Sequence, residues 1–241
     1  MDYQDFLKTK EKQFIESGFE VEDNNLNPLL KDFQKYGISV ALRKGRFAFF
    51  FDCGLGKTFC QLEWSRLVSE KTGKKVLILA PLAIVEQTKK EALKFNVSLD
   101  CFDITNYDQL KNIDVSIYSG VVLDESSILK GRDGKLSSYI LSTFRNFKYK
   151  LACSATPSPN DHMELGQHSE FLGGMTYLEM LAMYFVHDGG ETSKWRLRKH
   201  AQDTFWKYVS SWSMAIDKPD TLGFCGVGYN LPEIEYIEHI I

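Results

Sequence analysis

A chain of 241 residues with 44% apolar side chains and a formal net charge of -3 is long enough for one large core, and its composition argues against disorder. That charge gives no bulk attraction to nucleic acid, so any such contact needs a local patch. Five scattered cysteines, Cys53, Cys60, Cys101, Cys153 and Cys225, form no C-x-x-C pair, which argues against a disulfide frame or cysteine zinc site and suits a reducing, cytoplasmic setting.

Residues 1–25 open on Met1-Asp2-Tyr3-Gln4-Asp5 and are expected to form a helical or extended lead-in without an apolar leader core. No run anywhere approaches the ~18 apolar residues of a membrane span. Asn27-Pro28-Leu29-Leu30 through Leu42 reads as a helix entered at an asparagine, with proline in its first turn. Strands are expected at Phe47 to Phe51, Lys75 to Ala80, Cys101 to Ile104, Val115 to Tyr118, Gly120 to Leu123 and Lys148 to Cys153. Between them, Lys57 to Ser69, Ala83 to Phe95, Leu136 to Phe144 and His162 to Leu172 read as helices. This alternation is the pattern of an α/β domain over 26–174, a parallel sheet covered by helices on both faces. Beyond Gly174 a small helical appendage and linker, 175–241, is expected. It holds the methionine-rich Thr176 to Phe185, a turn at His187 to Glu191, a helix from Ala201 to Ile216 and an extended piece, Ile234 to Ile241.

The first expected strand runs straight into Asp52-Cys53-Gly54-Leu55-Gly56-Lys57-Thr58. Glycines let backbone N–H groups close around phosphate oxygens, Lys57 adds a point charge at the β/γ end, and Thr58 can ligate Mg2+. Phe51 stands where the strict pattern has its first glycine, so the loop is a variant; the bland alternative is a glycine turn between strand and helix. Downstream, Gly120-Val121-Val122-Leu123-Asp124-Glu125 puts two carboxylates at the end of a buried strand, the end that faces the ligand crevice of a parallel sheet. Hydrolysis of a γ-phosphate needs one carboxylate for the metal and one for water, which assigns Asp124 to Mg2+ and Glu125 to the base. Leu151-Ala152-Cys153-Ser154-Ala155-Thr156-Pro157 is a third strand end, with two hydroxyls before a proline. Alone it reads as an ordinary turn cap.

In this order the set resembles the first motor domain of superfamily-two helicases and translocases, particularly the branch of the chromatin remodellers and many phage-encoded relatives. The likeness runs from about Leu26 to Thr156. It implies a RecA-like, P-loop NTPase fold and ATP as the cofactor. Phe33-Gln34 looks like the upstream glutamine motif, which makes Gln34 the adenine contact. Gly54, Gly56, Lys57 and Thr58 correspond to the family's phosphate loop, where the missing first glycine is tolerated. Ala80-Pro81-Leu82 and Ile104-Thr105-Asn106-Tyr107 are similar to two segments that grip a nucleic-acid backbone, which carries that role to Pro81, Thr105 and Asn106, with DNA favoured over RNA. Asp124-Glu125-Ser126-Ser127 resembles the Asp-Glu-x-x box, and Ser154-Ala155-Thr156 the motif coupling hydrolysis to strand movement, so Ser154 and Thr156 join the nucleotide site. Trp195 through Trp212 to Leu222-Gly223-Phe224 looks like the linker of phage and prophage helicases.

Such motors close ATP between two RecA-like domains, the second supplying arginines that stabilise the transition state. Arg132, Arg145, Arg196 and Arg198 match no such finger. One lobe alone is expected to bind ATP and hydrolyse it slowly, the chain being a fragment or half-motor completed in cis or in trans, since such arginines contribute ~10³- to 10⁵-fold. The alternatives are a non-hydrolysing ATP-binding regulatory module and an unrelated P-loop kinase or signalling NTPase. The histidines at 162, 168, 187 and 200 read as surface or core residues, and Phe205, Trp206, Tyr208 and Trp212 as a packing stripe. Trp195 to His200 reads as a solvated helix face.

Overall fold

The computed structural model describes residues 14–130, 134–187 and 195–229. Phe47 to Phe51 offer no polar face to water, and they form β1 (Arg46–Phe51) in the interior of a six-stranded sheet. The other strands are β2 (Val76–Ala80), β3 (Phe102–Asn106), β4 (Gly120–Asp124), β5 (Tyr149–Cys153) and β8 (Ser213–Ile216). Their spatial order is β3-β2-β4-β5-β1-β8, and every pairing is parallel. The loops leaving the carboxyl ends of β1 to β5 therefore gather at one edge.

Side chains alternate between two cores, as a strand period of two requires. Phe47, Phe49 and Phe51 point with Ile78, Val122 and Leu151 toward α1 (Asp32–Lys44), α2 (Lys57–Thr72) and α3 (Val85–Lys94), where Phe33, Ile38 and Trp64 close the layer. Ala48, Phe50, Leu79 and Leu123 point the other way. That face is covered by α4 (Lys135–Thr143), α5 (Leu165–Phe171), α6 (Tyr177–Tyr184) and α7 (Gln202–Trp212), through Ile140, Phe171, Met180, Phe205 and Trp212. The expected α/β architecture with helices on both faces is thus the one observed.

Several expected elements differ. Val115 to Tyr118 is no strand: Val115–Ile117 is a 3-10 turn, because the Asp114 carboxylate caps it by accepting the Ser116 N–H. The helix expected from Asn27 starts at Asp32, since Asn27 closes a turn with the Leu29 N–H on its side chain. The stretch beyond Gly174, expected to be helical, also contains strands. Its helix expected over Ala201 to Ile216 stops at Trp212, and Ser213–Ile216 continues as β8, pairing with the edge of β1 that faces away from β5. Trp195–Leu197, expected on a helix face, is strand β7, antiparallel to β6 (Phe185–His187). The packing stripe on α7 is as expected in that Phe205, Tyr208 and Trp212 are buried, while Trp206 stays exposed. Arg132, the piece at 234–241 and most of the turn expected at 187–191 lie outside the described residues.

Candidate active site

The chain leaves β1 at Asp52, whose N–H donates to the Ile216 carbonyl of β8 at 2.9 Å. It then turns through Gly54 (φ 84) and Gly56 (φ 74), a left-handed backbone suited to glycine. Gly56 is also the N-cap of the sixteen-residue α2, so the N–H groups of its first turn and the positive end of its dipole face the loop. Lys57 folds across this loop, its ammonium donating to the carbonyls of Phe51 at 2.8 Å and Asp52 at 3.2 Å. Phe51, where the strict motif has glycine, thereby serves the loop through its carbonyl while its ring fills the core. Thr58 lies half-buried on the same first turn.

Gln34 braces the loop from α1. Its carbonyl oxygen accepts the Lys31 N–H at 2.9 Å and its amide donates to the Leu55 carbonyl at 3.0 Å. A Cβ at Gly56 would collide with that amide nitrogen. The side chain expected to read adenine thus also couples the start of α1 to the phosphate loop.

β4 delivers Asp124 to the same edge, buried to 5% exposure. Burial, and secondarily the neighbouring Glu125 charge, raise its pKa; a hydrogen bond from Gln61 and the Lys57 charge act in the opposite direction. Gln61 sits one helical turn after Lys57 on α2, and its amide donates to Asp124 Oδ1 at 2.7 Å with both residues buried. Sequence reasoning missed Gln61; its only signal was the i, i+4 spacing from Lys57.

Glu125 has φ 54, left-handed backbone for a residue with a Cβ, a conformation that costs ~1–3 kcal/mol and persists only when its surroundings hold it. Three contacts do so. Tyr107 donates its hydroxyl to the Asp124 carbonyl at 2.6 Å, Ser154 Oγ donates to Glu125 Oε2 at 3.4 Å, and Ser126 Oγ lies 3.0 Å from His168 Nε2. Ser154 also accepts the Thr156 N–H at 3.1 Å, so the two hydroxyl residues are joined and Thr156 is left exposed. His168 is a core histidine, as expected; burial pulls it down to about 4, so it is neutral at pH 7.

The Thr58 hydroxyl and Asp124 carboxylate are hard oxygen donors of the kind Mg2+ takes when phosphate and water complete its shell. Among the described residues there is no group of three or more His, Cys, Asp or Glu side chains that could hold a metal. Thr58 and Asp124 are the residues here whose oxygens suit Mg2+. The site's other side is a cleft of about 430 Å³ lined by Pro81, Leu82, Asn106, Glu125, Ser127 and Lys130. Pro81 and Asn106 thus share a cleft with Glu125, whereas Thr105 lies within β3 and does not line it. Asn106 uses its side-chain oxygen to accept the Gln109 N–H at 3.1 Å, capping the turn Tyr107–Asn112.

No protein-family model matches the chain. It is 24% identical over 204 residues to Protein CHROMATIN REMODELING 19 of Arabidopsis thaliana, an alignment covering 66% of this chain and 27% of that protein. The chain thus spans about a quarter of that relative's length. Among solved structures, the fold is similar to the Sulfolobus solfataricus SWI2/SNF2 ATPase core in complex with dsDNA, with a TM-score of 0.65 at 18% identity over 85% of this chain and 48% of that one. The Sulfolobus solfataricus SWI2/SNF2 ATPase core domain gives 0.59 at 19% identity, covering 86% and 49%. The UvsW helicase from Bacteriophage T4 gives 0.52 at 16%, covering 73% and 67%. The shared architecture is the RecA-like α/β fold of these cores.

Proposed function

We propose that the chain is the N-terminal motor lobe of a nucleic-acid-dependent ATPase that binds Mg2+ and ATP and couples hydrolysis to movement along nucleic acid. The observation that carries this assignment is the 2.7 Å bond from Gln61 to Asp124, which ties the helix of the phosphate loop to the acidic couplet. Gly54, Gly56 and the first N–H groups of α2 take the phosphates, Lys57 turns from the loop carbonyls to the β/γ oxygens, and Gln34 contacts adenine. Thr58 and Asp124 would hold Mg2+, which neutralises charge on the phosphoryl group when bound. Glu125 orients water and accepts its proton. Ser154, which reaches Glu125 on one side and Thr156 on the other, couples the phosphate site to the bound strand.

Pro81, Thr105 and Asn106 grip the backbone of the nucleic acid, duplex DNA being favoured over RNA because one similar core is itself a complex with dsDNA. The lobe occupies 26–174 after a lead-in at 1–25, and 175–241 contributes β8 before leading toward a second RecA-like lobe, in cis or in trans. This chain spans 48% of the similar Sulfolobus core. A cytoplasmic protein of phage or prophage type is part of the proposal; among the described residues no helix is long and apolar enough to cross a membrane. ATP turnover measured on the chain, with and without a second lobe, in double-stranded DNA, single-stranded DNA or RNA tests it. Stimulation by duplex DNA once the second lobe is present is expected. Turnover indifferent to every polymer, with both lobes present, would overturn the motor assignment.

A further inference from the structure

The opposite end of the sheet carries a concentration of positive charge that the nucleotide site does not use. Arg46 opens β1 and is the registered partner of Lys150 on β5, so the two side chains leave the same face of the sheet side by side. Lys150 is only 1% exposed, and its ammonium donates to two neutral carbonyls, Arg145 at 3.1 Å and Phe171 at 2.8 Å. The Arg46 guanidinium lies 5.3 Å from the Phe14 ring centroid, and its buried Nε has no hydrogen-bond partner. Among the described residues, Arg46, Lys150 and Arg145 form no ion pair.

Like charges directly opposite each other in a ladder destabilise it, and buried charge without a counter-charge costs more. Burial, and then the charge of Arg46, pull the Lys150 ammonium down to about 8. Arg46 and Arg145 line a cleft of about 590 Å³ together with Ser138, Ser142 and Asn146, the Ser142 hydroxyl donating to the Tyr139 carbonyl at 2.9 Å. Among the described residues its one carboxylate, Glu170, accepts the Tyr177 N–H at 2.9 Å. Among the described residues, three cations against one carboxylate leave the cleft and the layer behind it net positive. The arrangement combines guanidinium forks, a hydroxyl and an amide, the donors that match the oxygens of a doubly charged tetrahedral anion.

We propose that this cleft is a binding site for a phosphate group, free or as a phosphomonoester, with Arg46 and Arg145 as its contacting forks, Ser138 as a hydroxyl donor and the charge of Lys150 behind them. It is separate from the phosphate loop, which begins at the far end of β1, ~16 Å of strand away. Both sites could take inorganic phosphate, so the test is made in a Lys57→Ala background that silences the loop.

Calorimetric titration at pH 7 of the full chain with inorganic phosphate and with phenyl phosphate is expected to give binding that survives Lys57→Ala, in which the stoichiometry is one to one. Arg46→Gln and Arg145→Gln should each weaken it about tenfold or more, the loss of a charge-assisted hydrogen bond. Lys150→Met replaces a buried ammonium with an apolar chain of similar length; this variant should stay folded and also bind more weakly. Tighter binding of phenyl phosphate identifies a monoester site, and equal or weaker binding a free-phosphate site. Absence of binding, its disappearance in Lys57→Ala, or unchanged affinity in the folded Lys150→Met and Arg46→Gln proteins would overturn the proposal.

Discussion

Gln61→Leu tests the joint between the two halves of the proposed nucleotide site. The amide of Gln61 donates at 2.7 Å to a carboxylate that is 5% exposed, on a residue that is itself fully buried. A hydrogen bond to a charged group contributes about 1.5–3 kcal/mol, and leucine keeps the volume without the donor. At 2–4 °C per kcal/mol for a domain of this size, Tm should fall by roughly 3–12 °C. Asp124 also loses a donor that opposes the effect of burial, so its pKa rises further and it competes less well for a cation. Titration with ATP, with and without Mg2+, should then show the magnesium-dependent gain in affinity reduced about tenfold or more, with magnesium-free affinity little changed. A lower Tm with an undiminished magnesium gain would refute the link between Gln61, Asp124 and the metal.

Three further outcomes follow from the same geometry. Glu125→Gln should bind ATP like the parent yet lose ~10²- to 10⁴-fold in turnover, measured with duplex DNA and the second lobe present; equal turnover removes Glu125 as base. His168 titrates at about 4 in the folded chain against an ordinary value of 6.5, so the unfolded chain binds the extra proton between those pH values. Stability should fall by roughly 3 kcal/mol as pH drops from 6.5 to 4, a slope that denaturant melts of His168→Gln should lack. Lys150 at about 8 against 10.5 has the same sign: the unfolded chain holds more protons between those values, and stability should rise by roughly 3 kcal/mol over that range. In Lys150→Met that rise should be missing; its persistence would assign the slope to another group.

What was legible in the sequence is what is local. Gly54-Leu55-Gly56-Lys57-Thr58 and Asp124-Glu125 each sit where an apolar run stops, so strand end and turn are written in a dozen adjacent residues. The contacts that assemble the site are not. Gln61 and Asp124 are 63 residues apart, and Ser126 and His168 are 42 apart; nothing in either local pattern announces the partner. β8 is four residues long and follows a helix without an intervening turn, so its pairing with β1 is decided by the unpaired edge of β1 rather than by its own periodicity. The opposite error at Val115 to Tyr118 has a local cause, since the Asp114 side chain offers the backbone a turn that apolar composition conceals. The cross-strand pairing of Arg46 with Lys150 depends on register alone.

The most direct measurement is calorimetric titration of the chain with ATP and Mg2+, beside Lys57→Ala at equal concentration. Saturable one-to-one binding in the parent, lost or sharply weakened in the variant, is the predicted result. No affinity in the folded parent, or the same affinity in both proteins, would contradict a nucleotide site built on this loop.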